Sequence, residues 1–227
     1  MDTSVIAAGL GCFGVVVVLA IVAGVVGHRR EKARKEALQA WAVRNRWEYR
    51  LAPQQEWWRH LPGKNRRGVT LALTSVLGGR PVAVGEYSYT ESHTTSNADG
   101  SSSTSSTTHR FVVYVVRMRA AWPALTVRRR GGMSKLGRSL FGDRPTALGY
   151  EPFDSAYKIS AERPEIVRVA FGQQLVADHV AGLLPEWSIF GDELMVVMSG
   201  RIGVPDELPG RFAPLLRIAG LLETRPA

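Results

Sequence analysis

The chain of 227 residues contains one cysteine, Cys12. A single thiol excludes an intramolecular disulfide, a CxxC redox pair and a thiolate-rich metal cluster, and it leaves the redox compartment unreadable. Proline and glycine, at 12 and 23 residues, are too sparse for a low-complexity or collagen-like chain. With 45% hydrophobic and 22% charged residues, intrinsic disorder is excluded too. Acidic residues are in short supply: 20 Asp and Glu face 29 Lys and Arg, and the formal charge of +9 favours polyanionic neighbours. Recognisable catalytic motifs are missing as well. Gly9-x-Gly11-x-x-Gly14 matches a dinucleotide fingerprint in letters only, because no strand precedes it. The stretch from Gly137 to Gly142 is one residue too long for a nucleophile elbow around Ser139. Cys12 lacks the basic start and preceding apolar run of a lipoprotein signal. No cofactor is expected.

What the chain does contain is an uncharged stretch over residues 5–27. As a helix it is about 34 Å long at 1.5 Å per residue, against a hydrocarbon core of about 30 Å. Only Asp2 is charged ahead of it, which argues against a cleaved signal peptide, whereas Arg29, Arg30, Lys32, Arg34 and Lys35 follow it. The expectation is one retained transmembrane helix in a bacterial inner membrane, with residues 1–4 outside and the C-terminal domain in the cytoplasm. Those five cations, in a basic juxtamembrane helix or linker over residues 28–46, are candidate contacts for anionic lipid headgroups. Small residues at Ala7 and Gly11, Ala20 and Gly24, and Ala23 and Gly27 would allow a homodimer through the span.

From Trp47 onward the hydrophobic period moves from 3.6 towards 2. Residues 69–77 and 81–90 flank Gly78-Gly79-Arg80 and predict a hairpin, with Pro81 opening its second strand. Residues 110–119 are apolar enough for a central strand, and residues 124–128 follow Trp122-Pro123 as another. Between the strands, residues 91–109 (ESHTTSNADGSSSTSSTTH) predict a flexible Ser/Thr loop; its two histidines, His93 and His109, lack a third ligand for a metal site. Arg128, Arg129 and Arg130 form a second basic cluster, which could share a positive face with Lys64, Arg66, Arg67 and the collar and contact anionic lipid. Residues 153–161 predict a strand and residues 164–184 a helix bent or split at Gly172. A second hairpin is expected around Gly191-Asp192, and a closing helix over residues 209–222.

Several phrases in this order carry a resemblance: Trp47 and Tyr49 at the entry, E-Y-S-Y-T at residues 86–90, R-F-V-V-Y-V-V from Arg110, Y-E-P-F-D-S-A-Y-K-I at residues 150–159, and G-D-E-L from Gly191. Together they resemble an actinobacterial family of single-pass membrane-anchored proteins of unknown function. Tyr157 stands where a Phe is usual, and Arg46 where a Gly often precedes Trp47. The resemblance implies a bacterial inner membrane and carries over no catalytic residue.

The expected fold is α+β: an N-terminal transmembrane helix, then one cytoplasmic domain over residues 47–227 with a mostly antiparallel sheet, open or curled into a partial barrel, under two or three helices. The expected function is a non-catalytic module that binds a protein partner or the anionic membrane surface. The alternative is an enzyme with a dispersed site, for which His179, Asp178, Asp154 and Ser155 are the first candidates. Adjacent Asp178 and His179 would point about 100° apart on a helix, so they make a poor orienting pair. Nucleic acid is disfavoured as a partner, because the aromatics alternate with aliphatics as core residues do.

Overall fold

The computed structural model describes residues 3–96, 102–131 and 146–224, with side chains omitted for residues 3–21 and 23. The chain divides into two compact units, Met1–Arg46 and Trp47–Ala227. In the first, α1 (Thr3–Arg44) is a continuous helix of 42 residues. Its charged stretch is stitched by helical-spacing ion pairs: Lys32 with Glu36 at 3.9 Å, and both Arg34 and Lys35 with Glu31, at 2.9 and 3.7 Å.

The transmembrane helix expected over residues 5–27 requires correction. Among the described residues no helix is long and apolar enough to cross a membrane. The side chains on which that expectation rested lie mostly outside the described residues. Those that are described run from Val22 into Arg29, Arg30, Glu31, Lys32, Arg34, Lys35 and Glu36. A Lys or Arg at the centre of a spanning helix costs about 2.5–3.5 kcal/mol, so this part of α1 is unsuited to hydrocarbon.

The second unit is α+β. Its strands are β1 (Glu48–Leu51), β2 (Val69–Leu77), β3 (Arg80–Ser96), β4 (Ser102–Arg129), β5 (Tyr157–Ala161) and β6 (Trp187–Ser199); its helices are α2 (Glu151–Asp154), α3 (Glu165–Ala170), α4 (Gln173–Val180) and α5 (Leu208–Glu223). Every strand pairing is antiparallel. The β2–β3 hairpin turns on Gly78 and Gly79 at φ 57 and 74, the left-handed pair that a two-residue type I′ turn demands. β4 is the axis of the sheet. It pairs β3 along one part of its length and β5 along another, while β6 takes the opposite edge from Phe111 to Val127. β1 pairs β2 alone among the described residues, so the sheet stays open rather than closing into a barrel.

An expected strand boundary and an expected hairpin turn are absent for one reason. Trp122-Pro123 does not divide two strands, and Gly191-Asp192 does not turn a hairpin. Both lie within single strands, with register shifts around the Trp122↔Gly191 pair. Facing irregularities of this kind bend paired strands without ending them, and a bulge tolerates a proline that cannot donate to the ladder. The helix expected over residues 164–184 is split, α3 ending at Ala170 and α4 beginning after Gly172.

Pleating sorts the sheet into two faces. Tyr87, Tyr89, Val113, Val115 and Met195 pack with Trp57 and Leu61, which come from the short 3-10 helix Glu56–His60 and the residue after it. On the other face α5 packs on β4 and β6, with Phe212 against the rings of Tyr114 at 5.4 Å and Trp47 at 5.9 Å. Leu208, Phe212, Leu215, Ile218, Ala219 and Leu222 are the buried stripe of α5, at the spacing of one helical face.

A bidentate ion pair locks the end of α5 to the start of β3. Arg80 Nη1 and Nη2 donate to Glu223 Oε1 and Oε2, both at 2.7 Å, with each side chain 11% exposed. Glu223 also accepts the backbone N–H of Arg119 at 2.8 Å. Glu223→Gln should lower stability by about 1–2 kcal/mol, seen as a lower urea midpoint at unchanged slope. Arg80→Met should cost less on that background than in the parent chain; equal costs would show that the pair is not coupled.

Candidate functional site

Of the four residues expected to carry any dispersed catalysis, Asp178, His179 and Asp154 are each engaged in holding the fold. Asp178, on α4, accepts Arg217 Nε at 2.5 Å and Nη2 at 2.9 Å, and Gln174 Nε2 at 2.8 Å. The Arg217 guanidinium holds its carboxyl below the usual range. His179 diverges from it, as neighbours on a helix must. Its ring is fully buried among Phe153, Tyr157, Phe171 and Trp187, at centroid distances of 4.9–6.4 Å. Trp187 Nε1 donates to His179 Nε2 at 2.9 Å, so the neutral ring carries its proton on Nδ1, which has no hydrogen-bond partner among the described residues. Burial drives the imidazole down to about 4, so at neutral pH it is an uncharged packing element. Asp154 accepts the backbone N–H groups of Leu148, Gly149 and Tyr150 at 2.8–3.1 Å and clamps the chain leading into α2. Ser155 Oγ donates to Pro152 O at 3.4 Å. The pairs Asp178–Arg217, His179–Trp187 and Asp154–backbone are thus separate constructions.

Arg128, Arg129 and Arg130 are adjacent in sequence and have different surroundings. Arg128 is half-buried beside His60, Glu186, Ser188 and Phe190, around a shallow cavity of about 130 Å³. Burial pushes its guanidinium down, with Glu186 opposing. Arg129 is exposed and stands 6.0 Å from the Tyr157 ring. Arg130 donates to Asp154 O at 2.5 Å and Tyr157 O at 3.2 Å, fastening β4 to the α2–β5 corner. In α1, Arg29, Arg30 and Lys32 are exposed, while Arg34 and Lys35 both engage Glu31.

The tract read as a flexible loop at residues 91–109 is structured in the main. β3 and β4 stay in register from Tyr89↔His109 to Ser96↔Ser102, past the last pairs they make with β2 and β6. Only residues 97–101 of the tract lie outside the described residues. From Thr90 to Ser96 the ribbon is about 20 Å long at 3.4 Å per residue. Thr90 and Thr108, and Thr94 and Thr104, join their hydroxyls across the strands at 3.0 and 3.2 Å. At its root Tyr89 stacks on His109 and Phe111, at 4.9 and 6.0 Å, and Glu91 meets His109 Nε2 at 3.2 Å. Composition hid this arm, because serine-rich polar tracts read as linkers. The signal available was its threonines, β-branched residues suited to cross-strand pairs.

Beyond Tyr89 and His109 both strands of this arm present an unpaired edge among the described residues, with side chains that are exposed apart from half-buried Glu91 and His109. Such an edge is a template for pairing with another chain.

No family model and no curated protein matches the chain. Among solved structures, the crystal structure of the mycobacterial trehalose monomycolate transport factor A, TtfA, is similar, with a TM-score of 0.53 and 11% sequence identity over 85% of this chain and 96% of that one. At that identity the likeness shows a shared fold.

Proposed function

We propose that the protein is a non-catalytic accessory module that works with a membrane transport machine and docks a protein component of it along the β3–β4 arm. The observation that carries this reading is the arm itself, a ribbon paired beyond the sheet whose two edges are open to a further strand. The engagement of Asp178, His179 and Asp154 in structural bonds supports a role without chemistry. A shared fold with a protein named as a transport factor supports the choice of machinery. In this reading the module acts at the cytoplasmic face of an actinobacterial inner membrane.

Replacing residues 91–107 by an Asn-Gly turn keeps Tyr89 and His109, so the thermal transition should stay within a few degrees of the parent. A photoreactive side chain at position 94, in cells of the native host, should give a discrete crosslink to a membrane-fraction protein, and the arm-deleted chain should lose that protein on co-purification. Undiminished co-purification, or crosslinks to soluble proteins alone, would exclude the arm as the docking edge.

A further inference from the structure

A second surface of the sheet domain has the chemistry of an anion receptor. Ala52, Glu56, Trp58, Arg59, Arg66 and Arg67 are among the residues that line a cleft of about 530 Å³, within the range of small-molecule sites. Three guanidinium groups face it against one carboxylate. Arg59 stands 5.8 Å from the Trp58 ring and pairs with Glu56 at 2.7 Å. Arg66 and Arg67 are exposed, and neither side chain has a hydrogen-bond or ion-pair partner among the described residues. Several other arginines of this domain are consumed: Arg80 by Glu223, Arg117 by Asp192, Arg130 by backbone carbonyls, Arg217 by Asp178.

Both walls are held rigidly, which distinguishes the cleft from a chance cluster of surface charge. Buried Tyr87 donates through its hydroxyl to Pro62 O at 2.7 Å and accepts Asn65 N–H at 2.8 Å. Asn65 Nδ2 donates to Ser88 O at 3.0 Å, and Asn65 Oδ1 accepts the backbone N–H of Arg67 at 3.1 Å. Gly63 lies so close to the Tyr89 ring that a Cβ there would come within 2.4 Å of it. The opposite wall is anchored by Trp57, 1% exposed in the core, next to Trp58 and Arg59. Ala52, at φ 43, adopts the left-handed region in the cleft lining, and Lys64, at φ 42, does so two residues before Arg66. Such strain persists only where the surroundings impose it, and it gathers at binding sites. The backbone that carries Arg67 is held by Asn65, and the planar forks of these guanidinium groups suit phosphate oxygens.

We infer that this cleft binds a phosphate ester, with Arg66 and Arg67 as its principal ligands and Arg59 and Trp58 as the flanking wall. The ester can reach it free in solution or as a lipid headgroup; the chemistry is common to both. The site is separate from the β3–β4 arm, so loss of either leaves the other testable.

The full chain should be titrated with sn-glycerol 3-phosphate by calorimetry, and mixed with phosphatidylcholine vesicles with and without phosphatidic acid. Saturable binding of the soluble ester assigns a free phosphate ester. Binding confined to vesicles with phosphatidic acid assigns a headgroup. In either case R66A/R67A should weaken binding at least tenfold, R66K/R67K should fall between, and R163A/R168A, which removes the same charge from other exposed positions, should bind as the parent does. The alanine variants alter exposed side chains, and an unchanged thermal transition will confirm their folding. Absence of binding to both probes, equal binding by R66A/R67A, or equal weakening in R163A/R168A would overturn the inference.

Discussion

Trp57→Ala should destabilise the sheet domain by about 3–5 kcal/mol, the usual cost of emptying the site of a buried large aromatic. Trp57 is 1% exposed and packs in a cluster with Leu61, Val69, Tyr87, Tyr89, Val113 and Val115. The sheet makes room for it at Gly85, where a Cβ would approach Trp57 Cζ2 to 2.9 Å. A glycine in the middle of β3 is unfavourable by strand propensity, and close passage of an indole is a reason to keep one there. Trp57 Nε1 is buried with no hydrogen-bond partner among the described residues. Phenylalanine therefore removes an unsatisfied donor along with some volume, and Trp57→Phe should cost about 1–2 kcal/mol, well below alanine. Urea unfolding of the two variants separates the contributions. If phenylalanine proved as damaging as alanine, the indole N–H would have to be making a bond. A small loss for alanine would show that this tryptophan does not anchor the short helix carrying Trp58 and Arg59.

Acidification from about pH 6.5 towards about 4 should weaken the same domain. His179 falls from an ordinary 6.5 to about 4 in the fold, chiefly through burial, with Asp178 opposing and Arg129 adding to the fall. Between these values the unfolded chain binds a proton that the folded chain refuses, so stability declines as pH drops from about 6.5 to about 4. At about 1.4 kcal/mol per unit the full loss is about 3 kcal/mol. His60 is also lowered, by burial and by Arg59, and acts in the same sense. Glu193 is raised by burial and opposes it, because a fold that binds the carboxyl proton more tightly than the unfolded chain does gains stability as pH falls. The pull of Arg217 on Asp178 lowers that carboxyl, so its contribution is lost only at still lower pH. His179→Gln offers Trp187 an acceptor and does not titrate. It should be less stable than the parent at pH 7 and nearly level through the window, so the two stability curves approach each other towards pH 4.5. A variant that declines as steeply as the parent would place the acid sensitivity elsewhere.

Local sequence chemistry was enough where the signal depends on near neighbours. Gly78-Gly79 between β-branched runs predicts the β2–β3 turn, Gly172 marks the break between α3 and α4, and the apolar spacing after Pro209 predicts the stripe that α5 buries. It misled at Trp122-Pro123 and Gly191-Asp192, because a breaker residue and a bulge look alike until the partner strand is known. It misled again at residues 91–109, where polar composition concealed paired strands. The candidate sites were less legible still. Arg128, Arg129 and Arg130 read as one patch, yet Arg130 is spent on backbone carbonyls and Arg128 is half-buried.

By itself the sequence determined the charge balance, the class of the sheet domain and the placement of most of its elements, since these follow from composition and from periods of 2 and 3.6. Only the tertiary structure decided which charges are available. Asp178 and Arg217 meet across 39 residues and Glu223 and Arg80 across 143, whereas the side chains of Arg66 and Arg67 have no partner among the described residues. Pairing of that kind depends on which strands and helices meet, a long-range outcome of burying the two faces of one sheet, and no local pattern encodes it.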